Sequence, residues 1–317
     1  MPRLTASRSV AGFIMALSAA IFWGISGTCA QYLFEQKDMD PAWLVSWRML
    51  VAGGILIGFA IFRKNSDAFQ IWKNRKDFIQ LLVFSIFGMV TVQYTYFYSI
   101  NLSNAATATV IQYIGPVFVV GFYAIKNRRW PLFLEYLALF LALAGTFLLV
   151  THGSFQVLVI SEKALFWGIL SAVALAVYTI QPVQMLRKYS APTVTGWAMF
   201  LGGILFSLYT QPWMVSGSWD MGTVGAFSYI IVFGTVISFS IFLYSLTLIG
   251  AQTASLLCSV EPLSAAVVAV AWLGVTFTAM DWLGTIFILV TVAILTLAKN
   301  FNPVTFSSQK EPESQEV

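Results

Sequence analysis

The chain has 317 residues, 59% of them hydrophobic and only 9% charged, with a formal charge of +4. A soluble domain carries roughly 25% charged residues, so a water-soluble globule is excluded and lipid is the solvent for most of this chain. The positive charge does not imply nucleic acid, because the basic residues lie in short segments between apolar runs, where they orient a membrane chain.

A bilayer core about 30 Å thick needs about 20 apolar residues per helix. Runs of that kind lie at 10–33, 43–62, 78–100, 105–125, 133–150, 164–186, 194–213, 224–248, 252–273 and 282–298. The expectation is an all-α polytopic membrane protein with ten transmembrane helices. The first run follows a short basic stretch but is too long for a signal peptide and lacks a convincing cleavage site, so it reads as a retained helix. With the N-terminus cytoplasmic, the inner segments hold fourteen Lys and Arg, the outer segments only Lys37 and Lys163, and Arg48 falls inside a helix. Lys and Arg in short loops resist translocation, which predicts a multi-pass protein of the cell membrane with both termini cytoplasmic. Residues 299–317 form a polar cytoplasmic tail ending KEPESQEV. Cys29 and Cys258 differ in depth by roughly 18 Å when counted along their helices. That is too far for a disulfide, and they read as small apolar fillers.

An internal repeat sets the architecture. AIFWGIS at 20–26 returns as ALFWGIL at 164–170, each opening a series of five helices. YSINLSNAATATVIQYIGP at 98–116 realigns without a gap on YSLTLIGAQTASLLCSVEP at 244–262. The units are 11–150 and 164–298. With five helices per unit, the second copy enters the membrane from the opposite side, so the two repeats are inverted. Inverted repeats are a recurrent plan of secondary transporters, because two such halves can exchange conformations around a central site.

The FWG openings, the stretch Asn104–Thr109, the pair Glu261–Pro262 and the two-repeat layout resemble the EamA branch of the drug/metabolite transporter superfamily. The resemblance covers about residues 11–298. It implies membrane transport, a central cavity lined mainly by helices 1, 3, 4, 6, 8 and 9, and substrates drawn from amino acids and related metabolites, nucleotide sugars, organic phosphates or organic cations, often exported.

Read from the residues, Glu261 lies about 13 Å inside its helix end, where a charge is costly and faces a cavity or a partner. It is either a counter-ion to a cationic or zwitterionic substrate, a carrier of a coupling proton, or a structural hydrogen-bonding group. Its counterpart in the first repeat is Gly115, so the charge breaks the internal symmetry. Both positions precede a proline, and Pro116 and Pro262 are expected to kink helices 4 and 9 or to serve packing alone. Arg48 sits roughly 8 Å below the outer end of helix 2. It either snorkels to the interface, pairs helices, or meets a substrate carboxylate or a gate; a direct bridge to Glu261 is not expected. Tyr94, Tyr98 and Asn101 share one face of helix 3, repeated as Ser240, Tyr244 and Thr247. Thr109 and Gln112 share a face of helix 4. Such faces line a cavity or bond helix to helix. Trp23, Tyr98, Tyr178 and Tyr244 offer either aromatic walls for a cation or plain packing. Ladders of small residues at 16, 20, 24, 28 and at 164, 168, 172, 176 let helix backbones approach closely.

No metal or cofactor site is expected, since His152 is the sole histidine and HExxH, GxSxG and Walker motifs are missing from the sequence. An enzyme and ATP-driven transport are disfavoured accordingly. The expected function is secondary transport, by alternating access, of a small metabolite such as an amino acid or related zwitterion. An organic cation is the second substrate class, and a channel or non-transporting receptor the rival function. The expected partners are the lipid bilayer and a small-molecule substrate, with a homodimer left open.

Overall fold

A computed structural model of the protein describes residues 6–63, 66–126, 128, 130, 133–154, 159–258 and 260–301. The tail from 302 onward and the basic residues Arg3, Lys64, Arg129 and Lys310 lie outside the described residues. The described chain is all helix and turn, arranged as ten segments: α1 (Ala6–Lys37), α2 (Pro41–Phe62), α3 (Arg75–Leu102), α4 (Ala105–Lys126), α5 (Phe133–Thr151), α6 (Glu162–Ile180, resumed as Val183–Lys188), α7 (Ala191–Thr210), α8 (Met221–Ile231, Val232–Ile237 and Ser238–Cys258 in succession), α9 (Val260–Leu273) and α10 (Ala279–Phe301). Seven are long and apolar enough to cross a membrane, and Tyr136–Leu149, Val260–Leu273 and Ala279–Ile294 are shorter apolar helices.

Local chemistry sets the starts. Asp40, Asn74, Asn104, Ser161 and Asp220 each cap a helix by accepting from a backbone N–H of its first turn, which satisfies donors that would otherwise be orphaned. The boundary between α8 and α9 falls later than the sequence spacing suggests. Where the first repeat breaks at Ser103 and restarts on the Asn104 cap, the second has Gly250, which has no side-chain oxygen to cap a new helix. There the helix runs on to Cys258 and the next begins at Val260.

The two repeats pack as inverted copies. α1 lies against α8 and α9, and α6 against α3 and α4. The central antiparallel pair α2–α7 meets at two glycines in reciprocal fashion. A Cβ on Gly53 would sit 2.6 Å from Phe200 N, and one on Gly203 would sit 3.0 Å from Leu50 N. α5 and α10 repeat the arrangement, with Gly145 against the carbonyl of Gly284 (2.8 Å) and Gly284 against that of Gly145 (2.7 Å). Each contact appears twice because one pseudo-twofold relates the halves, and only hydrogen side chains permit such backbone approach.

The symmetry extends to a backbone irregularity. α3 widens into a π-helical segment at Phe84–Val90 and α8 does so at Val232–Ile237. In the register that aligns Tyr98 with Tyr244, Gly88 and Gly234 are equivalent. At each segment a threonine hydroxyl donates to a carbonyl five residues back, Thr91, just past the first, to Ile86 (2.9 Å) and Thr235, inside the second, to Ile230 (2.9 Å). Such widened turns free carbonyls and mark functional positions.

Both faces of the bundle are fastened across the halves. At one face Lys37 pairs with Asp220 (2.6 Å), and Ser218 N donates to Lys37 O (2.9 Å). At the opposite face Lys188 pairs with Asp77 (2.9 Å), Tyr189 Oη donates to Asp77 (2.8 Å), and Asp67 accepts from Ser190 and Thr193. In each fastening the lysine leaves the end of α1 or α6 and meets an acid near the start of α8 or α3.

Candidate functional site

The helices that carry charge into the membrane converge on the middle of α1, at Gly24–Thr28. A Cβ on Gly24 would lie 2.7 Å from Glu261 O and 2.8 Å from Ala265 N, and one on Gly27 would lie 2.7 Å from Tyr96 Oη. Thr28 Oγ1 lies 3.3 Å from Gly24 O and 3.4 Å from Ala265 O, two carbonyls that share its one proton. The first small-residue ladder therefore faces α9, and it brings Glu261, Tyr96 and the π segment of α8 around one turn of α1. Ser26 closes against Gly234 on that segment.

Glu261 is half-buried in the first turn of α9. Its Oε2 lies 3.0 Å from Tyr113 Oη and Cys258 O lies 2.6 Å from the same oxygen, so carboxylate and carbonyl share the one hydroxyl proton of Tyr113. Among the described residues no basic side chain lies within 4 Å of it. Tyr113 occupies the interruption of α4, which ends one segment at Gln112 and restarts at Gly115. Pro116 is the second residue of the restarted segment and Pro262 the third of α9. In a first turn the missing proline N–H costs no helical bond; the carbonyl of Gln112, four residues before Pro116, gains no N–H from it. Next to this interruption the Gln112 side chain is 8% exposed, and among the described residues its amide has no hydrogen-bond partner.

Arg48 is 6% exposed, so it does not snorkel. Its Nη1 donates to Gln93 Oε1 (2.7 Å), its Nε to Thr235 Oγ1 (2.8 Å) and its Nη2 to Gly234 O (3.3 Å), while the guanidinium lies 4.9 Å from the Phe97 ring centre. Every acceptor is neutral. Gly234 and Thr235 belong to the π segment of α8, so a side chain of the first repeat holds the backbone of the second. Arg48 and Glu261 do not touch, yet each lies within the electrostatic reach of the other, and Tyr96 lies within reach of both. Tyr96 shares a hydrogen bond with Thr109 (2.7 Å) on α4.

The interior face of α3 differs from the one its polar pattern suggests. Tyr94 and Tyr98 turn toward α6 and α7, where they pack on Trp167 (5.7 and 4.9 Å) and Tyr94 on Phe206 (5.3 Å), while Asn101 is exposed. The bundle interior receives Gln93, Tyr96, Phe97 and Ile100 instead, because two rings that pack edge-on against a tryptophan bury more apolar area there than in a polar centre. Trp23 packs edge-on against Phe239 and Phe242, both at 5.3 Å. Tyr178 stacks on Phe84, and Tyr244 is 55% exposed on the outside of the bundle. The structure thus gathers Glu261, Gln112 and Arg48 in the interior, with Trp23 one turn away on α1. It leaves Tyr94, Tyr98, Tyr178 and Tyr244 in packing or surface positions. Gln93, Tyr96, Tyr113 and Thr235 complete the gathering; a buried glutamine in an apolar run was the one signal for Gln93.

Two hollows of about 550 and 380 Å³ lie elsewhere than at Glu261. The larger is an apolar groove at Trp43, Trp47, Trp219 and Phe227; the smaller lies among α1, α8 and α9 at Cys29, Tyr32, Tyr229 and Trp272. Cys29 and Cys258 are free and buried.

Outside the membrane segments, the fastenings hold their acids ionised. Asp220 is kept well below the usual carboxylate range, first by the hydrogen bond from Lys37 and then by Thr223. For Asp67 burial is the largest influence and pushes upward, but the bonds from Thr193 and Ser190 together outweigh it and leave the group below its ordinary value. Burial and the bond to Asp77 push the Tyr189 hydroxyl up to about 12.

Ten helices in inverted halves around a buried, partly unpaired set of polar groups define a multi-pass membrane transporter, not an enzyme. The chain belongs to the EamA-like transporter family, whose model matches residues 10–151 and 162–297. It is 45% identical to the "Uncharacterized inner membrane transporter YicL" of Salmonella typhimurium, over 90% of this chain and 95% of that protein. It is 24% identical to the "WAT1-related protein At3g02690, chloroplastic" of Arabidopsis thaliana, over 88% of this chain and 68% of that protein. A solved crystal structure with 15% identity superposes with a TM-score of 0.63, covering 94% of this chain and 99% of the other, which shows a shared fold.

Proposed function

We propose that the protein is a secondary transporter that moves a small, positively charged or zwitterionic metabolite, such as an amino acid, by alternating access with Glu261 at its centre. One observation carries this reading: among the described residues, the half-buried carboxylate of Glu261 is held by the Tyr113 hydroxyl alone, and no basic group neutralises it by contact. A carboxylate so placed is costly unless a ligand cation or a proton joins it. The pseudo-symmetric fastenings at the two faces support alternating access, because releasing one while keeping the other opens the interior to one side. Export is the direction the family resemblance favours.

The units run over 11–150 and 164–298, with 299–317 as a cytoplasmic tail. The fourteen-to-two distribution of Lys and Arg supports cytoplasmic termini. The printed name of the Salmonella relative supports the inner cell membrane as the location.

The test is flux into proteoliposomes. Glu261→Gln is expected to abolish uptake of cations and to weaken uptake of neutral solutes; normal uptake of every substrate by this variant would remove Glu261 from the site. Saturable, competable flux separates a carrier from a channel, whose conductance does not saturate. An organic cation is the second substrate reading, favoured by the same uncompensated carboxylate.

A further inference from the structure

Arg48 and Gln93 bring a second pole to the interior. Arg48 is a buried cation with no carboxylate partner among the described residues, and its three hydrogen bonds all go to neutral oxygens. A guanidinium has five N–H donors, so two remain. Gln93 is 7% exposed and spends only its oxygen, on Arg48; among the described residues its Nε2 has no acceptor. These spare donors stand together beside a positive charge, where an acceptor oxygen would satisfy them. Within electrostatic reach, yet out of contact, stands the uncompensated Glu261. Gln112, also buried and without a side-chain partner among the described residues, precedes Tyr113, whose hydroxyl reaches Glu261.

We propose that Arg48 and Gln93 form a carboxylate subsite, so that the substrate is a zwitterion bound with its acid group toward α2 and α3 and its ammonium toward Glu261 on α9. This rests on the reading of Glu261 above and extends it to a defined substrate polarity. Charge complementarity carries the assignment. Two opposite charges kept apart in one low-dielectric interior, each short of contacts, are complementary to a dipolar ligand that spans them, and Arg is the side chain best suited to hold a carboxylate by two donors. A simple organic cation would satisfy Glu261 but leave Arg48 uncompensated and add like-charge repulsion.

The experiment compares each common amino acid with the amine formed by its decarboxylation, by thermal stabilisation of the purified protein in detergent and by uptake into proteoliposomes. For the intact protein at least one amino acid is expected to stabilise more than its amine. The decisive variant is Gln93→Glu, which hands Arg48 an internal carboxylate of nearly unchanged shape. It is expected to lower the ratio of amino-acid to amine uptake by about tenfold or more, the loss of one charge-assisted contact. Arg48→Lys, which keeps the charge and loses the fork, is expected to lower the same ratio more weakly, so the inference stays open to test should one variant fold poorly. A ratio unchanged in both variants, or equal loss of both ligands, overturns the carboxylate subsite. Stabilisation by amines alone overturns it while sparing the role of Glu261. If neither ligand class stabilises the protein, both readings fall.

Discussion

The two halves of the bundle share a backbone plan down to their π segments and differ where charge enters the membrane. Arg48 of α2 corresponds to Ala198 of α7, aligned through Trp47 and Trp197, and Glu261 of α9 corresponds to Gly115 of α4. The reason for one substitution is steric. A Cβ on Gly115 would lie 3.1 Å from Ala172 O and 3.0 Å from Leu175, so α6 closes that position, whereas Glu261 is only half-buried. A symmetric frame suits switching between two faces, while an asymmetric substrate needs poles that the symmetry does not duplicate. The molecule keeps the frame symmetric and places Arg48 in one half and Glu261 in the other.

The largest expected effect breaks that division directly. Moving the carboxylate, by Gly115→Glu with Glu261→Gly, is expected to leave uptake near zero and not to recover the protein's own flux, because the new side chain meets the α6 backbone. Recovered flux would show that the halves are interchangeable. Next come the two helix crossings. Gly24→Ala pushes a methyl group into Glu261 O and Ala265 N, both backbone atoms, whereas in the equivalent Gly168→Ala the nearest atoms are the Ile111 and Ser99 side chains, at 3.0 and 3.3 Å. The first is expected to cost about 1–3 kcal/mol and the second less, on the scale of overpacked cores; equal losses in thermal unfolding would mean the α1–α9 contact is no tighter than α6–α4.

The fastenings sharpen the comparison at a smaller scale. Asp77 is 3% exposed and receives both Lys188 and Tyr189, so Asp77→Asn is expected to cost about 1–2 kcal/mol and to raise cysteine labelling on its face only. Asp220→Asn, at an exposed pair, is expected to move the melting temperature barely at all while raising labelling on the opposite face. The smallest effect is that of pH on the Lys37–Asp220 pair. The folded value of Asp220 is depressed, so its stabilisation is complete above the unfolded value of about 4 and is lost as pH falls through the folded value. Labelling at that face is expected to stay flat from neutral pH down to about 4 and to rise only below it; a rise near neutral pH would exclude Asp220 as the titrating group.

Much of this was legible in the chain itself. Hydropathy set the ten helices, an odd-numbered repeat made the halves inverted, and the mismatch of Glu261 with Gly115 singled out Glu261 as a candidate, because a charge in an apolar run has few explanations. Faces were less legible. Tyr94 and Tyr98 follow a polar helical pattern, yet their rings pack on Trp167, since an aromatic hydroxyl can reach a polar edge while its ring joins a core. Arg48 looked shallow enough to snorkel because helix rise measures the depth of its backbone and not the direction of its side chain.

By itself the sequence determined the solvent, the number of helices, the inversion of the halves and the one-sided glutamate, all of which follow from local hydrophobicity and from a repeat read residue against residue. Only the tertiary structure decided which groups meet. The neutral partners of Arg48, the hold of Tyr113 on Glu261 and the matched fastenings at the two faces join residues as far apart as 48 and 235. Those pairings depend on helix rotation and crossing, set by glycine contacts and two π turns, and such long-range geometry leaves no periodic trace along the chain.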